Sequence, residues 1–409
     1  CYLCLDARAR HACPARPGIP AADPAVAQLS CSRRKSSKTC ASVRLTFPFS
    51  RRFRRKGFLA RGLGDFQGAY PQRLVEAAIE QFDVSVVIPV YNAAPYVRQA
   101  VESALAQPEV HEVLLVEDGS PDNALAVCQE LAAEYPQVIL LRHPNGENRG
   151  AGASRNLGMR SASHEFLAFL DADDYYLPGR FALDAQIFAR DALCEGVYDA
   201  VEMHIEDAQG LNRWNEAGKS RERIQTMSAD IPPEALADTL LRGGSGYFIL
   251  DALTIKKSVL KEAGLMREDL RLHQDTEWIL RVAMSARLLP GNLKEPVARW
   301  RVHSQNRISA PRSPKQKLDD RMRMYRCLYT WCEEFAGRYQ ETLMDLMLRN
   351  VLSSARFGEQ NPNAFLRKVM RLGNLLRFLL TNPTALLDQN FWKALPGQLN
   401  IRYQSKRSE

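Results

Sequence analysis

Apolar and polar positions along the chain change character at Val84. Val84-Ser85-Val86-Val87-Ile88-Pro89-Val90 is a β-branched run, apolar on both faces, which predicts a buried parallel strand. Val97, Ala100, Val101, Ala104 and Leu105 then recur at helical spacing behind Pro95. Val113 to Val116 predicts a second strand and Val138 to Leu141 a third, with Leu125, Cys128, Leu131 and Tyr135 marking a helix between them. A Gly- and Asn-rich loop follows, then a short helix over about 151–162 and an apolar strand, Phe166 to Leu170. This β-α-β-α-β-α-β alternation predicts an α/β fold with a doubly wound, mostly parallel sheet.

Beyond residue 180 the pattern loosens. Val197 to Ile205 predicts a strand, Thr276 to Ala286 a helix and Val297 to Val302 a strand. Gly243 to Gly246 reads as a flexible loop, and from about Lys317 the chain reads as a helical C-terminal extension. Phe365, Val369, Leu372, Leu376 and Leu379 line one face of a helix that also carries Arg367, Lys368, Arg371 and Arg377. Such a basic amphipathic helix is expected either to lie on an anionic membrane surface or to dock on its own protein. Residues 1–80 show no clear period and are rich in Arg, Ser, Pro and Ala; they read as a disordered basic extension, a leader or a transit-like segment. Three regions result: 1–80, 81–310 and 311–409.

Composition refines this picture. The net charge of +8 is uneven: residues 1–61 hold 14 Lys and Arg against 2 Asp, so the body is mildly acidic. That argues against a nucleic-acid surface spread over the fold. Five of the nine cysteines lie in the first 40 residues. Cys1-x-x-Cys4 with His11 and Cys13 could ligate zinc, but the second half lacks the usual spacing. Cys128, Cys194, Cys327 and Cys332 lack paired spacing and read as small buried residues of a reducing compartment. No stretch approaches the roughly 18 apolar residues of a membrane-spanning helix.

The candidate chemistry sits at strand ends. Asp171-Ala172-Asp173-Asp174 follows directly on an apolar strand, where clustered carboxylates need a neutralising cation; oxygen donors of this kind suit Mg²⁺ or Mn²⁺ beside a phosphate. Tyr91-Asn92 and Glu117-Asp118-Gly119-Ser120 also fall at strand carboxyl ends, the edge at which doubly wound sheets bind ligands.

Four blocks carry a resemblance: Val86 to Asn92, Val116 to Ser120, Asn148 to Asn156, and Phe169 to Asp174. In this order and spacing they resemble the family-2 glycosyltransferases, over about residues 83–310. The resemblance implies a GT-A type nucleotide-sugar-binding fold and an inverting sugar transfer. It implies that Pro89, Tyr91 and Asn92 line the nucleotide pocket, that Glu117 and Asp118 meet the nucleoside base, and that Arg155 closes over the nucleotide. It places Asp171 and Ala172 at the ribose, and Asp173 and His303 on the metal. Asp275, in His273-Gln274-Asp275-Thr276-Glu277-Trp278, would be the base that deprotonates the acceptor hydroxyl, with Glu277 as the fallback. Simple capping of a helix is the alternative for Asp275. Processive relatives carry Gln-x-x-Arg-Trp; here Arg299-Trp300 is preceded by Pro296, so a single-transfer enzyme is expected.

The implied partners are a nucleotide-sugar donor, UDP-sugars favoured, and a glycan or lipid-linked acceptor in cell-wall, polysaccharide or glycolipid synthesis. A homodimer is left open. The expected location is cytoplasmic, peripheral at the inner face of the membrane. Two other functions compete. A sugar-nucleotide pyrophosphorylase would need a Gly-rich basic loop after the first strand, and Pro89 to Pro95 has neither Gly nor Lys. A non-catalytic nucleotide-sugar-binding protein would not need Asp171, Asp173 and Asp275 together.

Overall fold

The computed structural model describes residues 72–216, 222–306, 312–353 and 364–399. The zinc-like cysteine spacing and the basic block of the N-terminal segment lie outside these residues. All elements below belong to one unit, Gln67–Glu409.

Eleven strands are present among the described residues: β1 Val84–Val90, β2 Val110–Glu117, β3 Val138–Arg142, β4 Phe166–Phe169, β5 Tyr175–Tyr176, β6 Gly196–Tyr198, β7 Val201–Ile205, β8 Ile224–Gln225, β9 Leu253–Lys256, β10 Leu288–Pro290 and β11 Ala298–Val302. Seven form the main sheet in the order β10-β6-β9-β4-β1-β2-β3, and four form a second sheet, β5-β11-β7-β8. Strands β1 to β4 are mutually parallel, as their continuous apolar runs require. The register pairs Val90 with Glu117 and Val87 with Phe169, so the chain leaves all three central strands along one edge.

Both faces of the sheet are covered. One face packs Val86, Ile88, Val113 and Leu115 against Val97, Val101, Cys128 and Leu131. The other packs Val87, Leu114 and Phe169 against Met159, Trp278, Val282 and Leu328. Gly158 lets the helix Ala151–Ser161 lie close on the sheet: a Cβ there would stand 2.4 Å from a Val87 methyl. Cys128, Cys194 and Cys332 are buried free thiols, held up at about 12 by desolvation, as expected of inert core residues.

Four features depart from the sequence expectations. Order begins before Val84, with a helix at Gln72–Glu80. Its Ile79 packs on the main core. The single strand expected over 197–205 is two strands in different sheets. The break falls at Asp199, whose carboxylate accepts from the Asn292 amide and from Arg180 in the core. Strand β9, antiparallel to both β4 and β6, was not anticipated. Finally, the helix Pro314–Phe335, capped by a reciprocal Ser313–Gln316 box, sends Met324, Leu328 and Cys332 into the same core as Trp278. It therefore completes the α/β body instead of standing apart from it. Met344, Met347, Phe378 and Phe391 make a separate cluster further along the chain.

Candidate active site at the sheet edge

The site begins with Asp171, Asp173 and Asp174, which offer carboxylate oxygens within 4.8 Å of one another. They occupy the link between β4 of the main sheet and β5 of the second. Asp174 is buried and accepts from the Arg301 amide at 2.7 Å. Strand β11 thereby carries His303 to the cluster, where its Nε2 lies 3.0 Å from Asp173 Oδ2. The Gln305 amide donates to His303 Nδ1 at 3.2 Å, so the ring proton sits on Nε2 and is donated to Asp173. Asn306 Nδ2 adds a contact to the same oxygen at 3.3 Å. Tyr96 stacks on the His303 ring at 4.8 Å, and the Arg301 guanidinium lies between the Tyr96 and Tyr175 rings.

A fourth carboxylate lies beneath. Because β9 is antiparallel, the residues that precede it fall at the carboxyl edge of β4. Asp251 there accepts from the Asp171 amide at 3.0 Å. It also shares a hydrogen bond with Asp174. Burial, then repulsion from Asp171, pushes Asp251 up to about 7. Burial and the neighbouring carboxylates push Asp174 well above the usual range too, so the pair holds a proton between them. Asp251 was missed by sequence reasoning. The available signal was a lone acid before an apolar alternating run, Leu253 to Ile255.

This geometry fits a divalent cation. An oxygen-rich set carrying more negative charge than its surroundings neutralise, with Asp173 part-exposed at the rim, is the donor chemistry of Mg²⁺ or Mn²⁺.

Arg155 is the positive counterpart. It is buried, ion-paired with Asp171, and its Nε has no hydrogen-bond partner. Burial opposes its charge, but Asp171 and then Asp275 outweigh that and hold its pKa above the ordinary value. Arg155 thus links the Asp cluster electrostatically to Asp275. That residue lies in the first turn of the helix Gln274–Ser285, part-exposed, with Oδ1 accepting from the Thr276 amide. It does not cap the helix, because His273, at φ 61°, occupies that position.

Glu277, the fallback base, is corrected by the structure. It is fully buried and paired through both oxygens with Arg281, at 2.9 and 2.8 Å. Such a carboxylate cannot reach an acceptor. Glu277→Ala strands the buried Arg281 charge and is expected to cost about 3–5 kcal/mol of stability, read by chemical denaturation.

Tyr91 is half-exposed on the same edge, and Asn92 is exposed with φ 53°. The Asn92 amide donates to Ser120 Oγ at 3.3 Å, joining the loops after β1 and β2. Pro89 is part-buried inside β1, and Ala172 is buried between the aspartates. Glu117 and Asp118 turn inward instead of opening onto a pocket. Glu117 accepts from Arg142 and the Ser120 amide. Asp118 accepts from the Arg149 and Gly150 amides at 2.8 and 2.9 Å, at the start of the helix Ala151–Ser161. A negative charge there satisfies donors that the helix cannot pair itself. Gly119, at φ 67°, lets the next loop approach: a Cβ would stand 2.7 Å from the Gly146 carbonyl oxygen.

Comparison with known proteins agrees with this arrangement. Residues 85–230 match the family model described as glycosyl transferase family 2. An uncharacterized glycosyltransferase of Rickettsia felis is 33% identical over 208 residues, 49% of this chain and 32% of that protein. The chondroitin synthase of Pasteurella multocida is 34% identical over 145 residues, 35% of this chain and 15% of that one. The chain therefore spans a third or less of the length of these relatives. Among solved structures, S. aureus TarS 1-349 in complex with UDP-GlcNAc superposes with a TM-score of 0.52 at 16% identity, covering 73% of this chain and 80% of that one. S. aureus TarS 1-349 alone gives 0.50 at 17% identity, covering 79% and 93%. These structures share the mixed, mostly parallel sheet with flanking helices. The family match lies across the strands that bear the Asp cluster, so residues 85–230 are similar in sequence to the family-2 glycosyl transferases.

Proposed function

We propose that this chain is a metal-dependent, inverting, non-processive glycosyltransferase. It moves a sugar from a nucleotide-sugar donor, a UDP-sugar by preference, to an acceptor hydroxyl on a glycan or lipid-linked molecule in cell-surface polysaccharide or glycolipid synthesis. The observation that carries the reading is Arg155, buried, ion-paired with Asp171 of the Asp171–Asp173–Asp174 cluster, and held charged by the part-exposed Asp275 as well. The cluster is built for a diphosphate and its cation, Asp275 for the role of proton acceptor.

Tyr91 and Asn92 line the nucleotide pocket, Asp171 and Ala172 face the ribose, and Arg155 steadies the donor from below. Asp118 shapes the base end of the pocket through the Arg149 and Gly150 amides that it holds. Asp173 and His303 would hold a Mn²⁺ or Mg²⁺ ion. To ligate such an ion through Nε2, His303 would carry its ring proton on Nδ1 and would give up its hydrogen bonds to Asp173 and from the Gln305 amide. The cation, when bound, offsets the charge that gathers on the departing diphosphate.

Asp275 takes the proton of the acceptor hydroxyl. That oxygen attacks the anomeric carbon from the face opposite the diphosphate, whose bond to the sugar breaks, and the configuration inverts. Pro296, where processive relatives carry Gln, supports release after one transfer.

The test is thermal melting of the protein with UDP, GDP, dTDP or CDP, first with Mn²⁺ and then with EDTA. At about 100 times its Kd the cognate nucleotide adds about 2.7 kcal/mol, a clear rise in Tm. The rise is expected with UDP and is expected to vanish in EDTA. No shift with any of the four nucleotides would overturn the reading.

A further inference from the structure

The helix Ala364–Thr381 meets the rest of the fold on one side only. Phe378 is buried, its ring stacked 6.4 Å from that of Phe391, with Leu375 and Leu379 half-buried beside it. The other side is open. Val369, Leu372, Leu376 and Leu380 are all exposed, the last at 83%. At about 100° per residue these four share an arc of roughly 80°, a single stripe. Further apolar side chains are exposed just past the helix. Leu386 and Leu387 in the turn Pro383–Leu387 are exposed, Leu387 at 87%, and so is Trp392. Trp392 Nε1 donates to the Leu386 carbonyl at 2.8 Å, which fixes the indole beside the turn. Four large apolar side chains in one stripe, with Leu386, Leu387 and Trp392 exposed just beyond it in the chain, are far more than scattered surface exposure explains.

The charge around this face has one sign. Residues 369–398 contain Arg371, Arg377 and Lys393 against a single acid, Asp388. Asp388 is turned inward, accepting from Tyr329 Oη and from the Asn390 amide. Arg377 and Lys393 are exposed.

We propose that this face is a membrane-docking surface which lies flat on an anionic lipid bilayer, its leucines and Trp392 entering the headgroup–acyl boundary. The charge selects this occupant over a second copy of the chain. Two copies face to face would bring the exposed Arg377 and Lys393 against their own counterparts with no acid of this segment turned outward, whereas anionic headgroups complement them. A tryptophan whose N–H is satisfied internally and whose ring is exposed suits that boundary. No helix among the described residues is long and apolar enough to cross the membrane, so the contact is peripheral. This inference is independent of the sugar-transfer chemistry, and its test does not read activity.

The experiment is flotation of the purified full chain with vesicles of phosphatidylcholine alone or mixed with phosphatidylglycerol. Binding is expected to the mixed vesicles and to weaken with salt. Leu376→Glu with Leu380→Glu is expected to lower partitioning at least about tenfold, and Arg377→Gln with Lys393→Gln several-fold with a flatter salt dependence. Both pairs are solvent-exposed, and far-UV dichroism checks that each variant is folded. If the leucine pair unfolds the helix, the Arg377/Lys393 pair decides. Absence of binding to either vesicle overturns the proposal. Undiminished binding by both variant pairs overturns it too and assigns the affinity to another surface, such as the basic residues 1–61. Light scattering that shows a dimer dissolved by the leucine pair, with no vesicle binding, makes the face a contact between copies instead.

Discussion

Asp173→Asn is expected to abolish turnover while leaving the fold intact. The substitution keeps shape and volume, and the site is part-exposed, so no cavity or buried unpaired charge results. An asparagine Oδ1 can still accept from His303 Nε2 and from Asn306 Nδ2. What disappears is one negative charge at the rim of the carboxylate cluster, where the proposed cation is held. Loss of that cation removes the electrostatic support of the leaving diphosphate, and kcat should fall by at least about 10³-fold. The Mn²⁺-dependent rise in Tm with nucleotide should disappear in the same variant, while the Tm without ligand stays within a degree or so of the parent. Product formation by the purified variant at more than about a tenth of the parental rate would remove Asp173 from the metal site.

Asp275→Asn is expected to separate chemistry from binding. The asparagine still accepts from the Thr276 amide, so the first turn of the helix Gln274–Ser285 keeps its shape. The side chain can no longer take a proton, and kcat should drop by about 10²- to 10⁴-fold, the usual range for a lost general base. The nucleotide-dependent melting shift should persist, because the donor is held at the Asp cluster. Retained kcat would return Asp275 to a structural role. Loss of nucleotide binding with loss of kcat would mean that Asp275 acts by keeping Arg155 in place, since it contributes to the charge environment of that guanidinium.

The central α/β alternation was legible because it rests on local signals. Val84 to Val90 is apolar on both faces and can only be a buried strand, and the helices that flank it show their period over two or three turns. The three polar clusters at strand ends were legible for the same reason: each follows its apolar run directly. What the sequence hid depends on distant partners. The break at Asp199 exists because Arg180 and Asn292 hold its carboxylate. Strand β9 is four residues long, and nothing local tells that it inserts between β4 and β6. Asp251 therefore came to light only with the topology, as did Tyr96, whose ring packs against His303, and Arg301, whose guanidinium lies over Tyr96. The helix Gln72–Glu80 is nine residues long, and its apolar positions, Leu74, Val75, Ala78 and Ile79, give little more than two turns of periodicity. Glu277 shows the reverse limit: an acid two residues from Asp275 looks equivalent in a string of letters and is its opposite in space, sealed under Arg281.

The helix Pro314–Phe335 leans on the same apolar layer as Trp278 and Val282, so the scaffold that aims Asp275 extends well past the family match ending at residue 230. A shortened version cut at residue 310 for crystallisation or screening would strip Met324, Leu328 and Cys332 from that layer, leaving a sticky patch behind the proposed base. Tyr339, Leu343 and Leu346 of the following segment belong to that same layer, and Met322 reaches from the helix into the Met344–Phe391 cluster, so a graft of acceptor specificity joined near Phe335 would uncover apolar surface on both sides of its junction.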